Sequence, residues 1–137
     1  FRSVLYQWEA ARKACPEGWH LPSDNEWNKL EKFLGMDKDQ TEKMGWRGDI
    51  ANELKSTDGW SRDGDGNNIS GFNALPGGYR NNYNGFFCNT AYAGYWWTST
   101  SYNSKNAWYR HILYNSNEIF RSYNYKGWGY SIRCVKD

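Results

Sequence analysis

Asp63, Asp65 and Asn67 in "DGDGNN" stand at the D-x-D-x-N spacing that opens an EF-hand-type calcium loop, hard oxygen donors alternating with glycine. The rest of that motif is missing: its sixth and twelfth positions, normally Gly and Glu, are Asn68 and Ala74. Short carboxylates and amides interleaved with Gly are also what tight turns prefer. A solvated turn is therefore the leading reading and a calcium site the alternative, with no cofactor required. The two histidines, His20 and His111, lie in no H-E-x-x-H or G-x-S-x-G context, and the sequence points to no carboxylate pair. The expectation is a chain without catalytic activity. Cys15, Cys88 and Cys134 form no CxxC, which argues against a structural zinc site and a thioredoxin-like motif. Were Cys15 and Cys134 paired, the bridge would close nearly the whole chain and imply an oxidising compartment, leaving Cys88 a lone thiol with more packing than reactivity.

A second pattern is richer. Residues 94–130 are crowded with Trp, Tyr, Asn and Ser. In "AWYRHILYN", strand alternation puts Trp108, Arg110, Ile112 and Tyr114 on one side and Tyr109, His111 and Asn115 on the other. Trp and Ile mark the first set as the packed face, so the second is expected outside. The adjoining turns add Tyr102, Asn103, Ser104, Asn106, Asn117, Tyr123, Asn124 and Tyr125. Tyr, Ser and Asn are the residues that binding loops favour, giving large contact area at low side-chain entropy with adaptable hydrogen bonds. This set is the candidate ligand-binding surface. One of Trp96 and Trp97, with Trp108 and Trp128, is expected to pack the sheet instead.

The elements that must position these residues follow from periodicity. In "SVLYQWEAARKAC", Val4, Trp8, Ala11 and Cys15 share one helical face. "SDNEWNKLEKFLG" carries Ser23 and Glu26 as a capping box, a Trp27/Leu30/Leu34 stripe, and Gly35 placed to end the helix. "GDIANELKS" reads as a short third helix with Ile50 and Leu54 inward. Residues 58–94 are Gly, Asn, Asp and Pro-rich, a long loop in which Pro76, Gly77 and Gly78 shape the backbone and Arg80 is expected to brace it through a carboxylate. "YWWTSTS", "AWYRHILY", "IFRSY" and "GYSIRCV" read as strands joined by short turns. Helices first and hairpins last predict one α+β domain over residues 1–137 with an antiparallel sheet. Aromatic residues are 19% of the chain, so rings must supply much of a core poor in Leu and Ile. Net charge of +2 with dispersed Lys and Arg predicts no nucleic-acid partner, and no apolar run approaches the length of a membrane helix. The chain starts at Phe1 and reads as part of a larger exported protein.

The words "WEAARKACPEGWHLPSDNEW", "LKSTDGW", "GFNALPGGYR", "YWWTSTSY", "NAWYRHILYN" and "GYSIRCVKD", in that order, resemble the Fibrobacter succinogenes major paralogous domain from about Leu5 to Asp137. The resemblance implies a C-type lectin-like fold: two N-terminal helices flanking a small twisted antiparallel sheet, with a long loop region. It supports a Cys15–Cys134 disulfide and an extracytoplasmic location, cell-surface or secreted, often as a lipoprotein. It implies recognition of a glycan or protein ligand, and the Asn/Tyr/Ser bias looks like the diversified segment of variable receptors made by diversity-generating retroelements. Two departures limit it. The Glu-Pro-Asn, Gln-Pro-Asp and Trp-Asn-Asp motifs of calcium-dependent sugar-binding lectins are absent, and a single spare cysteine does not meet the needs of a formylglycine-generating enzyme. The alternatives are a spacer domain without a dedicated ligand, or an enzyme on the related fold.

Overall fold

The computed structural model describes residues 4–137. Its elements in chain order are α1 (Trp8–Ala11), β1 (Trp19–His20), α2 (Asp24–Phe33), α3 (Lys38–Thr41), β2 (Gly45–Arg47), α4 (Ala51–Leu54), β3 (Tyr79–Arg80), β4 (Phe87–Cys88), β5 (Ala93–Ser101), β6 (Asn106–Leu113), β7 (Ile119–Tyr125) and β8 (Val135–Lys136). Four short helices accompany antiparallel sheets. The main sheet has the order β2-β7-β6-β5, and the pairs β1-β8 and β3-β4 form two smaller ones.

The α2 helix forms where local chemistry demands it. Ser23 Oγ accepts from Glu26 N–H at 3.1 Å, and Glu26 Oε1 accepts from Ser23 N–H at 3.1 Å, so two otherwise orphaned donors are satisfied. Gly35, just past the last turn, takes φ +112°, a region that disfavours other residues. Trp27 is buried, and Leu30 and Leu34 pack against the same core. The predicted short helix around Ile50 and Leu54 is present, with both side chains buried.

The first helix differs from expectation. It has one turn, Trp8–Ala11, and Val4 is 69% exposed rather than continuing its face. Tyr6 instead bridges Tyr130, its N–H donating to Tyr130 O at 2.7 Å and its carbonyl accepting from Tyr130 N–H at 3.0 Å. A long-range strand contact thus outweighs the local helical pattern. The predicted last strand is also mostly irregular. Gly129, Tyr130 and Ser131 make single bridges to Arg80, Tyr6 and Trp96, and only Val135–Lys136 forms a named strand. Nearby, Cys15 and Cys134 are joined, Cα to Cα 5.7 Å, across 119 residues. A chain-entropy account assigns such a closure about 4–5 kcal/mol.

Both faces of the main sheet are covered. On one, Trp96, Ile112 and Ile119 meet Trp27, Ile50, Leu54 and Trp60. On the other, Trp97, Ala107, Tyr109 and Tyr130 meet Trp8, Ala11 and Leu21. Trp96 and Trp97 are therefore both buried, on opposite sides, where just one of the pair was expected to pack; Trp108 and Trp128 are half-buried.

Under α2 the first face also holds a buried ion network. Arg110 Nη1 lies 2.6 Å from Asp24 Oδ1 and Arg110 Nε 2.9 Å from Glu31 Oε2. Arg47 Nη2 reaches Glu31 Oε1 at 2.7 Å, and Arg121 Nη2 reaches Asp24 Oδ2 at 2.7 Å. Burial pushes the Asp24 carboxyl up, but the Arg121 and Arg110 contacts more than reverse this, so its pKa lies below the ordinary value.

Candidate functional site

The predicted binding residues divide into three groups. At the β5–β6 turn and the end of β7, Tyr102 and Tyr123 stack with ring centroids 3.7 Å apart and planes 3° from parallel. Trp108 stands edge-on to both at 5.6 Å, and the Arg121 guanidinium lies 4.1 Å from the Trp108 centroid. The stack is therefore backed by the end of the ion network. Asn103 Oδ1 accepts from Lys105 N–H at 2.9 Å and from Asn106 N–H at 2.8 Å, so its amide oxygen closes the turn. Ser104 and Tyr125 are exposed. Asn124 is half-buried and donates from Nδ2 to Tyr130 Oη at 2.8 Å, pointing into the fold.

Asn115 and Asn117 lie at the opposite end of β6, roughly 25 Å away at the usual rise per strand residue. Asn115 is exposed. Asn117 Oδ1 accepts from Asn52 N–H at 2.7 Å and its Nδ2 donates to Asp49 O at 2.5 Å, so its amide tethers the start of α4.

Tyr109 and His111 correct the expected exposure. Each is only 9% accessible: the segment from Tyr6 to Ala11 and the chain around Tyr130 pack over Tyr109, and the rings of Trp46, Tyr95 and Phe120 surround His111, on the face that alternation assigned to solvent. His111 stacks on Tyr95 at 4.0 Å and donates from Nδ1 to Gly94 O at 3.1 Å. Burial pushes the His111 pKa down to about 4, so the ring is neutral at pH 7, and pushes the Tyr109 phenol up to about 12.

The β3–β4 hairpin supplies a region that sequence reasoning missed. In "RNNYNGFF", Asn81 Oδ1 accepts from Tyr83 N–H at 2.7 Å and Asn84 Oδ1 from Phe86 N–H at 2.9 Å. Arg80 braces the turn as expected, but through a carbonyl rather than a carboxylate: its Nε donates to Gly85 O at 3.2 Å. The turn lifts Tyr83, Phe86 and Phe87 outward, 87%, 68% and 69% exposed. Tyr83 stands edge-on to Trp128 at 6.1 Å. A cavity of about 350 Å³ opens beside it, lined by Gln7, Arg80, Asn81, Asn82, Asn84 and the Gly127 backbone, among others. With the Asn81 and Asn84 oxygens occupied by backbone, their amide NH2 groups remain as donors. The Tyr125 ring lies over Gly127, where an added Cβ would collide with it and with Asn82. The only signal in the sequence was the density of Asn beside aromatics, which also reads as an ordinary loop.

The remaining sequence candidates have structural duties. Asp65 Oδ1 accepts from Trp60 N–H at 2.9 Å, Asn67 Oδ1 accepts from Ile69 N–H at 3.1 Å, and Asp63 takes φ +60°. Among the described residues no three His, Cys, Asp or Glu side chains gather to hold a metal. His20 bridges Glu26 Oε2 at 2.8 Å and Asp137 Oδ1 at 2.6 Å; those hydrogen bonds, Glu26 first, raise its pKa. Cys88 is half-buried, with Sγ 3.7 Å from Phe86 O.

The model of the Fibrobacter succinogenes major domain family matches residues 2–136, nearly the full length. The chain belongs to that family. No curated protein and no solved structure shows a significant match. The family domain contains, among its described residues, no helix long and apolar enough to cross a membrane. Its disulfide fits an oxidising, extracytoplasmic compartment.

Proposed function

We propose that this domain is a non-enzymatic recognition module on a C-type lectin-like frame, displayed at the bacterial cell surface or secreted, that binds a glycan or protein ligand without covalent chemistry. One observation carries the reading. Five of the nine exposed aromatic rings among the described residues lie on two hairpin ends, Tyr83, Phe86 and Phe87 on one and Tyr102 and Tyr125 on the other, and the first of these borders the amide-lined cavity of about 350 Å³. Apolar rings left in water cost free energy unless a partner covers them, and amide donors fix a partner's orientation. Stacking of Tyr102 on Tyr123 and the contact of Tyr83 with Trp128 limit ring motion before binding, which reduces the entropy lost on association.

Glycan and protein arrays probed with the folded, oxidised domain test this. The expected result is a hit that Tyr83→Ala and Tyr125→Ala each weaken about tenfold or more, with thermal stability unchanged. Hits that survive the double variant would place recognition elsewhere. A domain with no hit on either array would favour the spacer reading.

A further inference from the structure

We infer that the cleft between α2 and the C-terminal strand binds a small apolar anion, an aryl or alkyl carboxylate. The cleft has a volume of about 430 Å³, within the range of small-molecule sites. Its walls include Trp19, Pro22, Leu30, Phe72 and Val135. This side of the molecule is distinct from the hairpin ends, and the two cavities share no lining residue.

What the cleft leaves unsatisfied decides the ligand's chemistry. Arg133 and Lys136 stand at it, and no ion pair among the described residues involves either. Arg133 uses Nε on the Phe72 carbonyl at 3.1 Å, which leaves its terminal nitrogens for another acceptor. Glu26 also lines the cleft, but its oxygens are engaged by Ser23 N–H at 3.1 Å and His20 at 2.8 Å. Trp27 also lines the cleft at 2% exposure; its indole Nε1, closed to solvent, has no acceptor among the described residues. The two unpaired groups that solvent reaches, Arg133 and Lys136, are both cations. The complementary ligand therefore carries acceptor oxygens and negative charge, while the walls select an apolar body. A guanidinium fork pairs best with a carboxylate.

The experiment titrates the oxidised domain with 2-naphthoate and, separately, with the isosteric neutral 2-naphthamide, following backbone and indole N–H resonances by NMR. Naphthoate should saturate, shift the Trp27 indole N–H and the Trp19 signals, and bind about tenfold or more tighter than the amide. Arg133→Gln, an exposed change whose folding is checked by its unperturbed remaining resonances, should abolish that preference, and Lys136→Gln should reduce it. Equal affinity for acid and amide would mean a generic apolar cleft and overturn the inference. So would shifts that avoid Trp19 and Trp27, a preference that survives Arg133→Gln, or no saturable binding at millimolar naphthoate. Loss of the hairpin-end hits with naphthoate binding intact would overturn the proposed function alone, and the reverse would overturn this inference alone.

Discussion

Both faces of the four-stranded sheet carry an apolar core, but they differ in what is buried beside it. Toward α2, Arg47, Arg110 and Arg121 thread between Asp24 and Glu31, with Arg110 and Glu31 fully inaccessible. Away from α2, rings pack on rings: Tyr95 on His111 at 4.0 Å, Trp97 on Tyr130 at 4.4 Å and Tyr109 on Tyr130 at 5.0 Å. The charged face depends on directional pairs, each balancing a desolvated partner, so one deletion strands the rest. The aromatic face depends on area and contact, which degrade gradually. The same sheet is thus intolerant on one side and forgiving on the other, and the stack of Tyr102 on Tyr123 caps the charged side, beyond Trp108 and Arg121.

The sharpest way to break this contrast is Arg110→Met. It leaves Asp24 and Glu31 buried without their shared cation and should cost about 3–5 kcal/mol in urea denaturation. A loss under about 1 kcal/mol would put the two faces on equal terms.

The next effect is on the aromatic face and depends on pH. His111 has a folded pKa of about 4 against an ordinary 6.5, so folding favours its neutral form. That contribution is complete above pH 6.5, shrinks as pH falls from 6.5 toward 4, and amounts to about 3 kcal/mol across the window. His111→Gln should flatten the stability profile there, and an unchanged slope would show that the ring is not held neutral. His20 acts in the opposite sense: its raised pKa lends stability below pH 6.5 that is lost as pH rises through the folded value.

The smallest effect belongs to the surface. Tyr102→Ala removes one ring of the stack and should lower stability by about 1 kcal/mol or less, measured by thermal unfolding. A larger loss would make the stack a structural member rather than a contact surface.

Parts of this arrangement were legible from residues alone. The Ser23/Glu26 box, the Trp27, Leu30 and Leu34 stripe and Gly35 define α2 because capping and helical periodicity act within one or two turns. The hairpins β5–β6–β7 were legible because apolar and β-branched runs alternate with turn residues. β2 was not: Gly45–Arg47 is three residues long, too short for alternation to register, yet it forms the edge beside β7. Nor was the Asn81–Phe87 surface, whose composition is that of any loop until the turn fixes which rings face out.

The amino-acid order by itself determined α2, the turn around Ile50 and Leu54, the β5–β7 hairpins and which family the chain belongs to, since capping, alternation and ordered motifs are properties of near neighbours. Only the tertiary structure decided that both sheet faces are covered, that Tyr109 and His111 lie inside, and that Arg133, Lys136 and Trp27 share one cleft. Those outcomes depend on contacts such as Tyr6 with Tyr130 and Cys15 with Cys134, over separations at which local periodicity carries no information.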